Sequence, residues 1–382
     1  MAIYLDNAAT TPLEPRVMEV IEETMPRFGN PSSIHARGRE VKALIENARK
    51  KVARLMDVAP GEIFFTSGGT EADNTALFCS VFDCGVKRII TSPIEHHAVL
   101  HAAQRLEALQ LVDLHYVRLR EDGHIDLEHL EELLHEADQE GAPTLVSLMH
   151  ANNEIGNLLD LEKAGHLTDQ YQALLHTDTV QTVGHLPLQF KDWKVAMAAA
   201  SAHKFNGPKG IGFLYLDHEI QMKPFISGGA QERNMRGGTE NILGIVGLAR
   251  ALEIAVEEME EQAQHMGHLK QYMASQLREA IPGIEFNGDP MGQSLYTVLN
   301  VALPPSPVSE MLLFKLDIAG IAVSGGSACS SGSDVGSHVI KALPERPGYT
   351  PLRFSFGKYN TKEEIDETVA VLKEIMAEPA MR

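Results

Sequence analysis

The segment Ser201-Ala202-His203-Lys204 contains the residue types best suited to covalent chemistry in this chain. It follows an apolar run, 195–200, and precedes a glycine-rich turn, 205–210. A lysine at the end of a buried strand loses its proton more readily because burial disfavours the charged form, and a neutral amine forms a Schiff base with a carbonyl. Most lysines in turns are simply exposed, so the catalytic interpretation needs support from the rest of the chain.

Cysteine is scarce, with three residues in all: Cys79, Cys84 and Cys329. An odd, sparse count does not suggest a disulfide framework and is typical of a reducing cytoplasm. Cys79 and Cys84 fall in and just after an apolar helix, where we expect burial. Cys329 lies in a serine- and glycine-rich segment, 324–333, with little apolar cover, so its thiol is expected to be available for chemistry.

A glycine turn between a strand and a helix offers a second chemical feature. A strand-like run, 62–66, leads into Ser67-Gly68-Gly69-Thr70 and then a helix. Free backbone N–H groups and the positive end of the helix dipole favour phosphate at such a turn. The signal is weak alone, because many such turns contain glycine, and this one is not a Walker A loop.

Repeated strand–helix units must position these residues. Apolar strands alternate with helices up to a long polar loop, 227–239, and this predicts an α/β domain with a mostly parallel sheet. Active-site residues of such sheets lie at the carboxyl ends of the strands. The polar residues at or just after these ends are Thr70, His96, Asn153, Asp178 and Lys204.

The pattern changes after the polar loop. A long helical region, 240–280, is expected to bend near Gly267 if at all, and further strands and helices follow. Thr361 and Glu364 have the spacing of a capping box at the start of the last helix. This part of the chain therefore predicts a smaller α+β domain.

Composition restricts the classes of partner. The 382 residues are 44% hydrophobic and 22% charged, which is ordinary for a soluble globular protein. The net charge of −19 argues against nucleic acid but leaves a basic protein partner open. No apolar run approaches the ~20 residues of a membrane span, and the N-terminus lacks a signal peptide. We therefore expect a cytoplasmic protein with no membrane contact.

Nine short motifs extend over nearly the whole chain, and each is weak alone. They lie at 4–11, 66–71, 95–96, 149–156, 176–178, 201–204, 236–241, 326–329 and 353–357. In this order they resemble the motifs of the cysteine desulfurases of the class V aminotransferase superfamily, which use pyridoxal 5′-phosphate (PLP).

The resemblance implies a PLP-dependent transferase fold of type I. The large α/β domain, residues 13–256, would contain a mostly parallel seven-stranded sheet. The smaller α+β domain, residues 1–12 and 257–382, would carry the loop with the catalytic cysteine. The resemblance also implies a homodimer whose active sites contain residues of both chains.

The resemblance also assigns roles around the cofactor. Lys204 would hold PLP covalently and, once freed, move protons between the substrate and the cofactor. Asp178 would pair with the ring nitrogen, and His96 would stack on the ring face. Without the resemblance, Asp178 is as well explained as a helix N-cap and His96 as a polar loop residue.

The remaining roles concern the cofactor's substituents and the substrate. Asn153 and Gln181 would hydrogen-bond the phenolic oxygen of PLP. The phosphate would be held by Gly69, Thr70, Ser201, His203 and, from the other subunit, Thr239. Arg353 would bind the substrate carboxylate bidentately, with Asn30 as a second contact. Thr179 departs from the family, which more often has alanine there.

Cys329 distinguishes a desulfurase from other enzymes of this fold. Its thiolate would attack the sulfur of PLP-bound L-cysteine, giving a persulfide and L-alanine. The segment 324–337 resembles the family's extended catalytic loops, which would carry the persulfide to an acceptor.

The predicted function is thus a homodimeric PLP-dependent cysteine desulfurase that supplies an iron–sulfur scaffold or another sulfur-acceptor protein. A selenocysteine lyase or a related PLP-dependent lyase is the nearest alternative, and an idle homologue that serves as a binding scaffold is another. No structural metal is expected, because Cys79 and Cys84 lack metal-ligand spacing.

Overall fold

The computed structural model describes residues 2–325 and 336–378. The strands in this part of the chain are β1 Ile3–Tyr4, β2 Ile63–Thr66, β3 Arg88–Thr91, β4 Asp113–Tyr116, β5 Thr144–Ser147, β6 Leu174–Asp178, β7 Met197–Ser201, β8 Gly212–Leu216, β9 Glu285–Phe286, β10 Val298–Leu303, β11 Ile321–Ala322 and β12 Thr350–Ser355. The helices are α1 Pro15–Thr24, α2 Ala36–Leu55, α3 Gly69–Asp83, α4 His97–Ala108, α5 Leu127–Glu140, α6 Leu161–Gln170, α7 Ile242–Glu257, α8 Met259–Ala280, α9 Leu312–Ile318, α10 His338–Lys341 and α11 Lys362–Met376.

A seven-stranded sheet forms the centre of the larger part of the molecule. Its strand order is β2-β8-β7-β6-β5-β3-β4. Strand β8 runs antiparallel to both of its neighbours, β2 and β7, and the other pairings in the sheet are parallel. Strands β5 and β7 are buried along their whole length, as helices on both faces require, whereas β4 lies at an edge and is partly exposed. The predicted α/β fold with a mostly parallel sheet is confirmed.

The carboxyl ends of three neighbouring parallel strands meet at one edge of this sheet. Strand β5 ends at Ser147, β6 at Asp178 and β7 at Ser201. A short 3₁₀ turn, Ala202–Lys204, follows β7 directly. The side chains expected to do chemistry are therefore placed together by strands that pair with one another.

A second apolar core lies around the antiparallel sheet β12-β10-β9. It contains Ile3 and Leu5 from the N-terminus together with residues from Met266 to Ile375. Strand β1 pairs in parallel with β11, so the first residues of the chain pack with its last third. They then continue towards the large sheet, where Thr11 N donates to His203 O at 2.9 Å.

The helical region between residues 240 and 280 differs from the prediction. Helix α7 ends at Glu257 and α8 begins at Met259, while α8 continues through Gly267 without a break. The predicted bend near Gly267 is therefore wrong. The apolar side of α7 belongs to the core of the large sheet and that of α8 to the second core, so the helix breaks where the chain passes between them. The capping box of Thr361 and Glu364 at the start of α11 is confirmed.

Among the helices of the described ranges, none combines the length and the apolar character that crossing a bilayer demands.

Candidate active site

A cavity of about 510 Å³ lies at the carboxyl ends of the central strands. It brings together ten of the residues predicted from the sequence. These are Gly69, Thr70, His96, Asn153, Asp178, Gln181, Ser201, His203, Lys204 and Arg353. They come from segments far apart in the chain, so their convergence is a property of the fold.

Lys204 is half-buried in this cavity. Its Nζ donates hydrogen bonds to the carbonyl oxygens of Ala8, at 2.5 Å, and Ala9, at 2.9 Å. The turn after β1 thus holds the amine inside the cavity. An amine in this position can reach a carbonyl compound bound beside it.

Asp178 ends strand β6 and is buried, with 6% of its surface exposed. Its Oδ1 accepts a hydrogen bond from Val180 N at 2.8 Å. Burial raises the pKa of Asp178 to about 6, and the hydrogen bond from Val180 and the charge of Lys204 act in the opposite direction. A buried carboxylate of this kind favours a protonated ring nitrogen as its partner.

His96 precedes helix α4 and caps its N-terminus, because Nδ1 accepts a hydrogen bond from Ala98 N at 3.1 Å. In the neutral ring the proton is therefore on Nε2. Burial, assisted by the nearby charge of Lys204, lowers the pKa of His96 to about 4. The imidazole is consequently neutral at pH 7 and lines the cavity as an uncharged aromatic ring.

The N-terminus of α3 forms one wall of the cavity. Its N-cap residue, Gly68, has φ of +156° and provides no side-chain cap. A Cβ on Gly69 would lie 2.5 Å from Val180 Cγ2, so a larger residue there would force Val180 to move. Thr70, Ser201 and His203 line the cavity with this helix end. Uncapped amides at a helix N-terminus suit an anionic group such as phosphate.

Arg353 lies in β12 and is only 1% exposed. Its Nη1 donates to Asn153 O at 2.9 Å and its Nη2 to Asp6 Oδ1 at 2.8 Å. Its buried Nε has no hydrogen-bond partner in the part of the chain that the structure describes. A fixed guanidinium with unused donor capacity at a cavity wall suits a carboxylate ligand.

One amide and one hydroxyl complete the predicted surroundings. Gln181 Nε2 donates to Ala8 O at 3.0 Å, next to the Lys204 contact. The hydroxyl of Thr179, the residue that departs from the family, donates to Ala199 O at 2.8 Å and is fully buried. Thr179 is absent from the cavity lining given by the described residues, so its extra atoms are accommodated inside the sheet.

Three predicted residues are not in the cavity wall. Asn30 is exposed, and its Oδ1 accepts from Ser32 N at 2.9 Å. Thr239 lines a second cavity, of about 190 Å³, which shares Ser67 and Gly210 with the first. Cys329 lies outside the described residues.

The described residues on both sides of segment 326–335 are part of the cavity wall or contact it. Ser324 forms a pair of backbone hydrogen bonds with Arg353, and His338 lines the cavity wall. The Nε2 atom of His338 lies 2.8 Å from Glu95 O.

Some cavity residues were not predicted, among them Asp73, Glu154 and His338. Asp73 lies four residues after Gly69, so helical periodicity alone places both on one face of α3. Glu154 lies within a motif already recognised, 149–156. His338 has no comparable signal, because only the tertiary structure brings α10 to the sheet edge.

In two groups of side chains in the described ranges, three atoms of metal-ligand type lie within 4.8 Å of one another. The groups are Glu62 with Asp217 and His218, and Asp73 with His96 and Asp178. The second group lies in the cavity wall. The prediction of no structural metal stays a prediction.

Comparisons of the sequence and of the structure with known proteins all relate this chain to the same kind of enzyme. The sequence model of the aminotransferase class-V family matches residues 3–368. A cysteine desulfurase IscS of Dictyoglomus turgidum is 40% identical over 379 residues, covering 98% of this chain and 94% of that protein. A putative cysteine desulfurase IscS 1 of Bacillus subtilis is 42% identical over 370 residues, 95% of each. A solved NifS-like protein has a TM-score of 0.89 at 38% identity, covering 99% of this chain and 100% of its own.

Proposed function

This chain belongs to the class-V aminotransferase family, and on that premise we propose that it is a PLP-dependent cysteine desulfurase. Members of this family depend on PLP. The proposed reaction converts L-cysteine to L-alanine and leaves the sulfur on the enzyme as a persulfide of Cys329.

One observation carries the proposal: a single cavity contains the Lys204 amine, the Asp178 carboxyl, a neutral His96 ring and the uncapped N-terminus of α3. These four features match the aldehyde, the ring nitrogen, the ring face and the phosphate of PLP. When bound, PLP supplies an aldehyde for the substrate amine and a ring that accepts the electron pair released at Cα.

The chain's own residues would perform the other tasks. Arg353 would bind the substrate carboxylate, with its guanidinium orientation fixed by Asp6 and by Asn153 O. The Lys204 amine would move protons at the substrate Cα, since the carbonyls of Ala8 and Ala9 keep it inside the cavity. The ring of His96 would cover one face of the cofactor, with its Nδ1 retained by helix α4.

Cys329 would complete the sulfur transfer. Its thiolate would form an S–S bond to the substrate sulfur while the Cβ–S bond of the substrate breaks. The electron pair of that bond goes to Cβ, which takes a proton and becomes the methyl group of alanine. The oxidation of sulfur to the persulfide level balances the reduction of Cβ, so no external oxidant is required.

We further propose the molecular context. The enzyme would be a homodimer, with Thr239 and Asn30 contributing to the sites in the assembled form. The persulfide sulfur would pass to an iron–sulfur scaffold or another acceptor protein. Residues 13–256 would form the large domain, and residues 1–12 with 257–382 the small one.

The decisive experiment measures PLP uptake and the products formed from L-cysteine in the presence of a reductant. Cys329→Ser should still bind PLP but should release neither sulfide nor alanine above background. Cys84→Ser, at the half-buried end of α3, is the matched control and should behave as the wild type. Lys204→Ala should lose covalently retained PLP and all alanine formation.

The alternatives predict other outcomes of the same experiment. A selenocysteine lyase would convert selenocysteine to alanine and selenide even in the Cys329→Ser variant. An idle scaffold homologue would stay colourless and take up no PLP. Absence of PLP uptake, or selenide release by a wild type that forms no sulfide or alanine from L-cysteine, would contradict the proposed desulfurase.

A further inference from the structure

Asp73 is a buried acid close to Asp178, the residue assigned to the cofactor's ring nitrogen. It lies on α3, is 1% exposed and contacts the cavity. A carboxylate oxygen of Asp73, one of Asp178 and a ring nitrogen of His96 all lie within 4.8 Å of one another. Among the described residues, Asp73 Oδ1 has no hydrogen-bond partner. A buried acid without a partner next to a second buried acid needs a physical explanation.

Two carboxyl groups this close in a buried site do not both ionise, so the pair holds a proton. Asp178 has the better support for a negative charge, because Val180 N donates to its Oδ1 at 2.8 Å and Lys204 is close. Asp73 has neither aid. Its burial, together with the negative charges of Asp178 and Glu95, raises its pKa well above the usual range. The proton of the pair therefore belongs on Asp73.

His176 is a second buried neighbour of Asp73. Its Nε2 is 3.5 Å from Asp73 Oδ1 and has no hydrogen-bond partner in the described ranges. Its Nδ1 lies 2.8 Å from Ser147 Oγ. Burial lowers the pKa of His176 to about 3, so its ring is neutral. A neutral ring beside Asp73 supplies no positive charge that would ionise the acid, and it limits where the Asp73 carboxyl can turn.

We propose that Asp73 is a positioning residue that stays protonated and donates a hydrogen bond to Asp178, which keeps Asp178 the carboxylate that faces the cofactor's ring nitrogen. The donated bond stabilises the charged form of Asp178 and fixes its rotamer. Asp73 itself acts through Asp178. This inference rests on the proposed function, since it concerns the group that would hold PLP.

The test compares Asp73→Asn, which retains a donor of the same shape, with Asp73→Ala, which has none. Asp138→Asn, an exposed site on α5, is the matched control. For each purified variant we would measure the Kd for PLP by titration of the apoprotein between pH 5.5 and 9. The pH dependence of the bound cofactor's absorption would be recorded alongside. If the alanine variant does not fold, Asp73→Leu fills the space without a donor.

A protonated donor predicts that Asp73→Asn binds PLP as the wild type does. It also predicts that Asp73→Ala binds about tenfold more weakly or worse, because a hydrogen bond to a charged group is lost. In the Asp73→Ala variant, the affinity for PLP should begin to fall at a higher pH than in the wild type. Equal impairment of the asparagine and alanine variants would overturn the proposal, because Asp73 would then act as an anion. Unchanged PLP binding in all variants would overturn it too, leaving Asp73 a structural role.

The two proposals fail in different ways. If the wild type and Asp138→Asn take up no PLP, the proposed function fails and this inference fails with it. If they take up PLP but the Asp73 variants show either contrary pattern, only this inference is lost.

Discussion

At the scale of single residues, Arg353 shows how a cavity wall can be prepared for a ligand. Its guanidinium is held by Asp6 and by the carbonyl of Asn153, and its Nε lacks a partner among the described residues. These contacts fix the plane of the guanidinium before any ligand binds. A lysine could supply the charge at this position, but not the planar pair of donors that matches a carboxylate.

We therefore predict that Arg353→Lys raises KM for L-cysteine by about tenfold to a hundredfold with a smaller effect on kcat, since charge-assisted hydrogen bonds to the carboxylate are lost. Arg346→Lys is the control, because Arg346 pairs with Glu285 and Asn287 away from the cavity. Steady-state kinetics of alanine formation measures both. An unchanged KM in Arg353→Lys would assign the substrate carboxylate to another residue.

At the scale of elements, a buried ion pair fixes the polar loop before α7. Arg49 on α2 donates two hydrogen bonds to Glu232, at 2.7 and 2.8 Å, and Phe65 N donates to the same carboxylate. Glu232, Arg233 and Asn234 all have left-handed backbone angles, with φ of 44°, 57° and 66°. Such angles are costly for residues with side chains, so the pair holds a strained segment close to Thr239.

Helix α8 offers a test of pH dependence. Lys270 is buried, its Nζ donates to Ser294 Oγ at 2.5 Å and Leu295 O at 2.9 Å, and burial lowers its pKa to about 8. Between pH 8 and 10.5 the unfolded chain keeps this proton while the folded protein releases it. The free energy of unfolding contributed by Lys270 therefore rises with pH across this interval.

Lys270→Met should abolish this rise. The stability difference between wild type and variant should grow by roughly 3 kcal/mol from pH 8 to 10.5, measured by urea unfolding at each pH. Lys373→Met, on the exposed side of α11, should show no such trend. Parallel stability curves for wild type and Lys270→Met would contradict the prediction.

At the scale of the whole molecule, the first residues of the chain connect the two cores. Strand β1 pairs with β11 in the second core, and five residues later Ala9 O accepts a hydrogen bond from Lys204 at the large sheet. Thr239 remains outside the main cavity and lines its smaller neighbour. This placement is compatible with a contribution to the site of a second chain, as the proposed homodimer requires.

Subunit complementation tests that arrangement. A purified heterodimer of one Lys204→Ala chain and one Thr239→Asp chain should regain about half of wild-type activity. One of its two sites would combine an intact Lys204 with an intact Thr239 from the other chain. Each variant homodimer should be inactive, and so should a heterodimer of Lys204→Ala with Asp178→Asn, because both of those residues belong to the same cavity. No recovery in the first heterodimer would place Thr239 in its own chain's site.

Periodicity and strand ends are local properties of the sequence, and they predicted the alternation of strands and helices, the mostly parallel sheet and five residues of the cavity wall. The resemblance to a known family assigned the other five. The predicted boundaries were less accurate: the strand expected over 62–66 begins at Ile63. The point where α7 and α8 separate, the carbonyls that hold Lys204 and the acid close to Asp178 follow from the tertiary structure alone. These features join residues as distant as Ala8 and Lys204, 196 positions apart, and such contacts depend on how whole elements pack rather than on any local pattern.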